Sequence, residues 1–154
     1  MQKYRINIET GQKEKDNGQL GASFYNKDWR EATTTEVKAI ELEKLKEAKI
    51  LEAKAKRDEK LSNFVVDEGI IKAKNKAETL LILKGYKEML DQNINLAEFG
   101  LKDGKLIKLT KPIIDKWLSK INTQFNEAWL DYRTVKKKIN NAKTISTLNK
   151  IIIK

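Results

Sequence analysis

The chain has 154 residues and a formal net charge of +10, with one proline, no cysteine and no histidine. The length fits one ordinary domain with room for an extra arm. The missing residue types exclude disulfides, Cys/His zinc sites, cysteine nucleophiles and Ser-His-Asp triads. Residues 1–20 are polar, and no apolar run nears the roughly 18 residues of a membrane span. We therefore expect a soluble cytoplasmic protein with no membrane contact, cofactor or metal.

Residues 1–32 are predicted to form a β arm. In the segment KYRINIE, the side chains of Tyr4, Ile6 and Ile8 alternate with polar residues, which predicts a strand. A polar turn region, TGQKEKDNG, follows it, and ASFYNKDWRE predicts a second short strand.

The second strand of this arm carries three aromatic residues, Phe24, Tyr25 and Trp29. A short polar arm offers little core for them to join. Two interpretations stay open: the three side chains dock on the body of the protein, or they anchor a partner protein, since Trp and Tyr are common in binding hot spots.

Residues 33–62 are predicted to form a long charged helix. Thr33 is the predicted N-cap, with Glu36 completing a capping box, and the segment has no Gly or Pro up to Leu61. Lys and Glu occupy most of its other positions. A thin apolar stripe at 3.6 residues per turn contains Val37, Ile40, Leu45, Ala48, Leu51 and Ala55. Such a helix is expected to project from the body as a linker, or to pair with another helix in self-association or in a partner. Val37, Ile40, Leu45 and Leu51 are therefore candidate partner-binding residues.

Residues 63–154 are predicted to form a helical domain with two hairpins. The first hairpin places DEG between Phe64–Val66 and Ile70–Ile71, and the second turns at Asp103-Gly104. A helix between them is capped at Asn75 or Thr79, and its predicted core residues are Leu80, Leu83, Met89 and Leu90.

The clearest element is a helix that begins after Thr110, with Pro112 in its first turn. Its apolar residues step by three or four and include Ile114, Trp117, Ile121, Phe125, Ala128, Trp129, Tyr132, Val135, Ile139 and Ala142. Thr144 is predicted to cap a last short helix. The fold class is therefore α+β and mostly helical, with two long helices, shorter helices, two short hairpins and an N-terminal β arm.

Three stretches, taken in this order, resemble a family found in the tail genes of phages and prophages. They are RDEKLSNFVVDEGIIKA, FGLKDGKLIKLTKPIIDKWLSKI and KKKINNAKTISTLNKI, which lie within the range Arg57–Ile151. The junction DWREATTTE is also similar to tail-fibre assembly proteins. The resemblance implies a non-enzymatic role in tail assembly, as a chaperone or a small tail component, in the host cytoplasm or the virion. It implies a tail-fibre or other tail protein as partner, and it brings no catalytic or metal residues.

Three other kinds of site were weighed against this. DGKLIKLT lacks the glycine spacing of a phosphate-binding loop. Neighbouring carboxylates such as Asp67 and Glu68 do not converge, as acid–base catalysis requires. From Arg133 to Lys154 there are one Arg, six Lys and no acid, hence +7. A nucleic-acid-associated phage protein is therefore the alternative, with Lys136, Lys137, Lys138 and Lys143 as candidate contacts, although lysines also suit a helix C-terminus.

Overall fold

The computed structural model describes residues 4–15, 29–72, 75–94 and 98–153. Over these residues it confirms an α+β fold that is mostly helical, at 61% helix. The strands are β1 Tyr4–Asn7, β2 Lys13–Lys15, β3 Trp29–Glu31, β4 Asn63–Val66, β5 Gly69–Lys72, β6 Phe99–Gly100 and β7 Leu106–Ile107. The helices are α1 Thr34–Ser62, α2 Lys76–Asp91, α3 Lys111–Asn141 and α4 Ile145–Asn149.

The chain groups into two compact units. Met1–Ala48 and Ala142–Lys150 form the N-terminal unit, and Lys49–Asn141 and Ile151–Lys154 form the C-terminal unit. Helix α1 contributes residues to both units. The boundaries predicted from the sequence, 1–32, 33–62 and 63–154, stay a prediction, but this grouping does not set α1 apart as a separate linker.

The N-terminal unit contains an antiparallel sheet in the order β2-β1-β3. Tyr4 of β1 is buried together with Val37 and Ile40 of α1. Strand β1 ends at Asn7, whose side chain accepts hydrogen bonds from the backbone N–H groups of Glu9 and Thr10. The strand is therefore shorter than the alternating pattern that predicts it, because the chain has already turned at Ile8 and leaves this side chain 61% exposed.

The start of α1 is fixed by its neighbours in sequence. Thr33 and Glu36 form the predicted capping box: the Glu36 N–H donates to the Thr33 hydroxyl, and the Glu36 carboxylate accepts from the Thr33 N–H. Arg30 adds a two-pronged ion pair to the same carboxylate, at 2.6 and 2.8 Å. The two capping-box bonds satisfy backbone N–H groups that a helix start would otherwise leave unpaired.

The C-terminal unit holds the larger core. Its buried residues are Phe64, Val66, Ile71, Leu83, Leu101, Leu109, Ile114, Trp117 and Ile121. The predicted buried face of α3 is confirmed from Ile114 to Ala128, with Phe125 half-buried on the same line. The prediction for Met89 of α2 was wrong, because this side chain is 43% exposed.

Both predicted hairpins are present. Asp67 and Glu68 form the turn between β4 and β5, and β6 pairs with β7 around Gly104. Gly104 has φ +84° and Gly69 has φ +151°, backbone conformations that favour glycine. A Cβ at Gly69 would lie 2.9 Å from Cδ1 of Leu101, so close packing also requires glycine there.

Three further helix starts match the sequence. Asn75 caps α2, and its side chain accepts a hydrogen bond from the Glu78 N–H. Thr144 caps α4 in a capping box with Thr147. Helix α3 begins at Lys111, and the carbonyl of Thr110 accepts from the N–H of Ile114.

Candidate partner-binding surfaces

The predicted partner-binding residues of α1 separate into two groups. Val37 and Ile40 are 5% and 4% exposed and pack against Tyr4. Leu45 and Leu51 are 40% and 66% exposed. The first two have almost no surface left for a partner, because β1 covers them, so the candidate surface on α1 reduces to Leu45 and Leu51.

After Ile40, the covered face of α1 departs from the predicted apolar stripe. The exposed members include Ala48 and Ala55, while Ala53 is 3% exposed. Lys46 and Arg57 have side chains that are only 14% and 11% exposed. The covered face therefore includes two long basic side chains, which the hydrophobic pattern could not indicate.

The aromatic residues of the arm are only partly described. Trp29 lies half-buried on β3, opposite Asn7 of β1. The predictions for Phe24 and Tyr25 lie outside the described residues. The proposal that the arm anchors a partner therefore stays open for these two positions.

The four lysines of the alternative proposal are all exposed. Lys136, Lys137 and Lys138 lie near the end of α3, and Lys143 follows that helix. The ammonium of Lys136 lies 5.9 Å from the ring centre of Tyr132. The last turn of α3 also carries the negative end of the helix dipole, which the basic side chains there offset.

A cluster of aromatic rings on α3 with cations from α1 and α2 was missed by sequence reasoning. The guanidinium of Arg57 lies 4.3 Å from the ring centre of Trp129 and 4.7 Å from that of Tyr132. The ammonium of Lys76 lies 4.0 Å from the ring centre of Phe125. These cations cover ring faces on which a nucleic-acid base would have to stack, so the cluster holds helices together.

The adjacent carboxylates of the first hairpin turn have structural partners. Asp67 pairs with Lys116 and with Lys120 of α3. Glu68 accepts a hydrogen bond of 2.6 Å from the indole N–H of Trp117, which is fully buried. The two carboxylates thus hold the hairpin on α3 and do not converge on a common point.

A second feature missed by sequence reasoning is a capped strand edge. The backbone N–H of Val65 donates to Oε1 of Gln124 at 2.9 Å, and Nε2 of Gln124 donates to the Val65 carbonyl at 2.6 Å. A side-chain amide thereby occupies the positions that a neighbouring peptide group would take in a sheet. The sequence separation of 59 residues explains why no local pattern indicated it.

An open cleft of about 530 Å³ lies beside this edge. It is lined by Lys56, Glu59, Lys60, Asn63, Val65, Gln124, Glu127, Ala128 and Asp131. Its volume lies within the range of about 300–1,000 Å³ that is common for binding clefts.

Among the described ranges, no cluster of three or more acidic residues could hold a metal ion. In the same part of the chain, no helix combines the length and the apolar character needed to cross a membrane. No protein-family model, curated protein or solved structure matches the chain. The resemblance to phage tail proteins thus stays a prediction.

Proposed function

We propose that this chain is a non-enzymatic phage or prophage tail protein that acts by protein–protein contact. Its role is that of an assembly factor for the tail fibre or of a small tail component. The sequence resemblance within Arg57–Ile151 supports a role in the assembly of a phage tail.

The observation that carries the contact mechanism is the exposure of Leu51. This side chain is 66% exposed on a helix that is otherwise rich in Lys and Glu, and Ala55, four residues further on, is exposed as well. Leu45 adds a second exposed leucine on the same helix. A helix that presents apolar anchors among charged residues fits the common mode in which a helix docks into a groove of its partner.

The first experiment is co-expression with the tail-fibre protein of the same phage or prophage genome, followed by affinity purification. We expect the fibre protein to retain this chain. Leu51→Glu and Leu45→Glu should each weaken retention about tenfold or more, because a charge replaces an apolar anchor. Leu81→Glu is the matched control, since Leu81 is 72% exposed on α2 and outside the proposed surface.

Failure of the fibre protein to retain the wild-type chain would overturn the proposal. Equal retention of the Leu51, Leu45 and Leu81 variants would overturn the assignment of the contact to α1. Circular dichroism and thermal unfolding of each variant show whether the fold is kept, which the exposure of all three residues favours.

The alternative function is association with nucleic acid through the four exposed lysines. It is supported by the lack of any acid between Arg133 and Lys154. Binding of a labelled DNA duplex should then fall steeply with salt, and Lys136→Glu with Lys137→Glu should reduce it further. Salt-sensitive DNA binding in a chain that does not bind the fibre protein would favour this alternative over tail assembly.

A further inference from the structure

We propose that the outer edge of β4 is a strand-addition site for an extended segment of the partner protein, and that Gln124 caps this edge in the free chain. This inference rests on the proposed function and names how the partner is held. Its starting point is the pair of hydrogen bonds between the Gln124 side chain and the backbone of Val65.

The geometry of the hairpin places the outward-facing backbone groups of β4 at Val65. Strand β4 pairs only with β5 among the described strands, and Val65 lies opposite Ile70 in this pairing. The N–H and C=O of Val65 point away from β5 and are bonded to Gln124. In an antiparallel pair, outward groups of this kind are the ones that an additional strand uses.

Gln124 is suited to the role of a removable cap. Its amide copies the donor and acceptor of a peptide group, so the edge is satisfied without a second strand. The side chain is only half-buried and has three rotatable bonds, so it can turn aside into the cleft. A peptide that replaces it makes the same two hydrogen bonds to Val65 and adds contacts along the cleft.

The cleft also indicates the chemistry of the segment. Lys56 pairs with Glu59 and Lys60 pairs with Asp131, so four of its charges are compensated. Glu127 has no ion-pair partner among the described residues, and it lines the same cleft. A basic side chain on the incoming segment would supply that partner.

The exposed face of the hairpin adds a second requirement. The side chains of Val65 and Ile70 are 56% and 37% exposed and lie directly across from each other. An apolar residue placed opposite Val65 by the added strand would extend this cross-strand pair. The expected occupant is therefore an extended segment of the tail-fibre protein with an apolar residue and a nearby Lys or Arg.

The test measures the affinity of purified tail-fibre protein for the full chain and its variants by calorimetry. Gln124→Ala should bind about tenfold tighter, because the cap no longer has to be displaced. Gln92→Ala is the matched control: this exposed glutamine follows the end of α2 and is remote in sequence from the edge, so the variant should bind as the wild type does. Glu127→Lys should bind about tenfold weaker, because it places a like charge against the basic residue of the segment.

Val65→Pro gives an independent readout. Proline removes the N–H that now donates to Gln124, and this N–H is not part of the pairing with β5. Binding should fall at least tenfold while the circular dichroism spectrum is unchanged. If this variant does not fold, the Gln124 and Glu127 variants still decide the question.

The outcomes separate this inference from the proposed function. A fibre protein that binds all variants equally, or binds Gln124→Ala more weakly, would overturn the strand-addition site and leave the proposed function standing. A fibre protein that binds neither the wild type nor Gln124→Ala would overturn both. A lower thermal stability of Gln124→Ala without tighter binding would make Gln124 a purely structural link between α3 and β4.

Discussion

The two units bury their side chains to very different extents. Among the described residues, the C-terminal unit has nine in its core cluster, including a tryptophan with no exposed surface. The N-terminal unit has a cluster of three, Tyr4, Val37 and Ile40. Since apolar burial stabilises a fold by about 25 cal/mol per Å², the smaller cluster contributes much less. In the N-terminal unit, the hydrogen bonds and the ion pair around Thr33 and Glu36 add local stabilisation at the start of α1.

Helix α1 takes part in two kinds of packing. At its start, α1 is covered by a three-stranded sheet through Val37 and Ile40. Further along, Arg57 of the same helix packs its side chain on the rings of Trp129 and Tyr132. Stability should accordingly be high where large side chains interlock and lower where few apolar contacts are made.

The largest effect is expected from Trp117→Ala. The substitution removes a fully buried ring, its edge contact with Phe99 and the hydrogen bond to Glu68. The free energy of unfolding should fall by about 3–5 kcal/mol, because a cavity and an unpaired carboxylate remain. Urea denaturation followed by circular dichroism measures it. Leu130→Ala on the same helix is the control, since that side chain is 66% exposed and its loss should cost less than about 0.5 kcal/mol.

A smaller effect, confined to one unit, is expected from Ile40→Ala. The loss should be about 2 kcal/mol, at the low end for a buried isoleucine, because the surrounding cluster is small. Hydrogen exchange should increase in β1 and at the start of α1, while protection in α3 is unchanged. An equal loss of protection in α3 would contradict the comparison, because the two units would then unfold together.

A pair of glycine substitutions compares a constrained position with an open one. Gly69→Ala should destabilise the C-terminal unit by about 1–2 kcal/mol, because its φ of +151° is strained for alanine and the new Cβ approaches Leu101. Gly85→Ala should stabilise by about 0.5–1 kcal/mol, because the position is inside α2 and faces open space. Thermal unfolding of both variants measures the change in stability. A change of the same sign in both would mean that neither the φ of Gly69 nor its approach to Leu101 constrains this position.

The smallest effect is a local pH dependence in the N-terminal unit. The Arg30 guanidinium, helped by the N–H and hydroxyl of Thr33, lowers the pKa of Glu36 to about 2. Because this value lies below the ordinary 4.5, the stabilisation is fully present above pH 4.5 and is lost as the pH falls toward 2.

The measurement is a carbon-detected NMR titration of the Glu36 carboxyl. Arg30→Gln should move the pKa of Glu36 upward, since the strongest partner of the carboxylate is removed. Titration of wild-type Glu36 near 4.5 would mean that the ion pair does not persist in solution.

Much of the local structure could be predicted from the sequence. The sequence predicts the capping box at Thr33, the cap at Thr144, the turn at Gly104 and, as one of two candidate positions, the cap at Asn75. Their signals lie within three or four neighbouring residues, because the hydrogen bonds that fix a helix end or a turn are short in sequence. The inner face of α3 was predicted for the same reason, since its period repeats along one element.

The candidate sites were predicted far less well. The sequence pattern predicts Val37 and Ile40 as partner contacts, although β1 covers them. The pattern gives no sign of the role of Gln124, because polar residues are common on helices and only the fold places this amide against a strand edge. The fold class, the helix starts and the hairpin turns can be predicted from the sequence alone, since these depend on local chemistry. The covered face of α1 and the cap on the β4 edge are visible only in the folded chain, because burial and edge pairing depend on residues far apart along the chain.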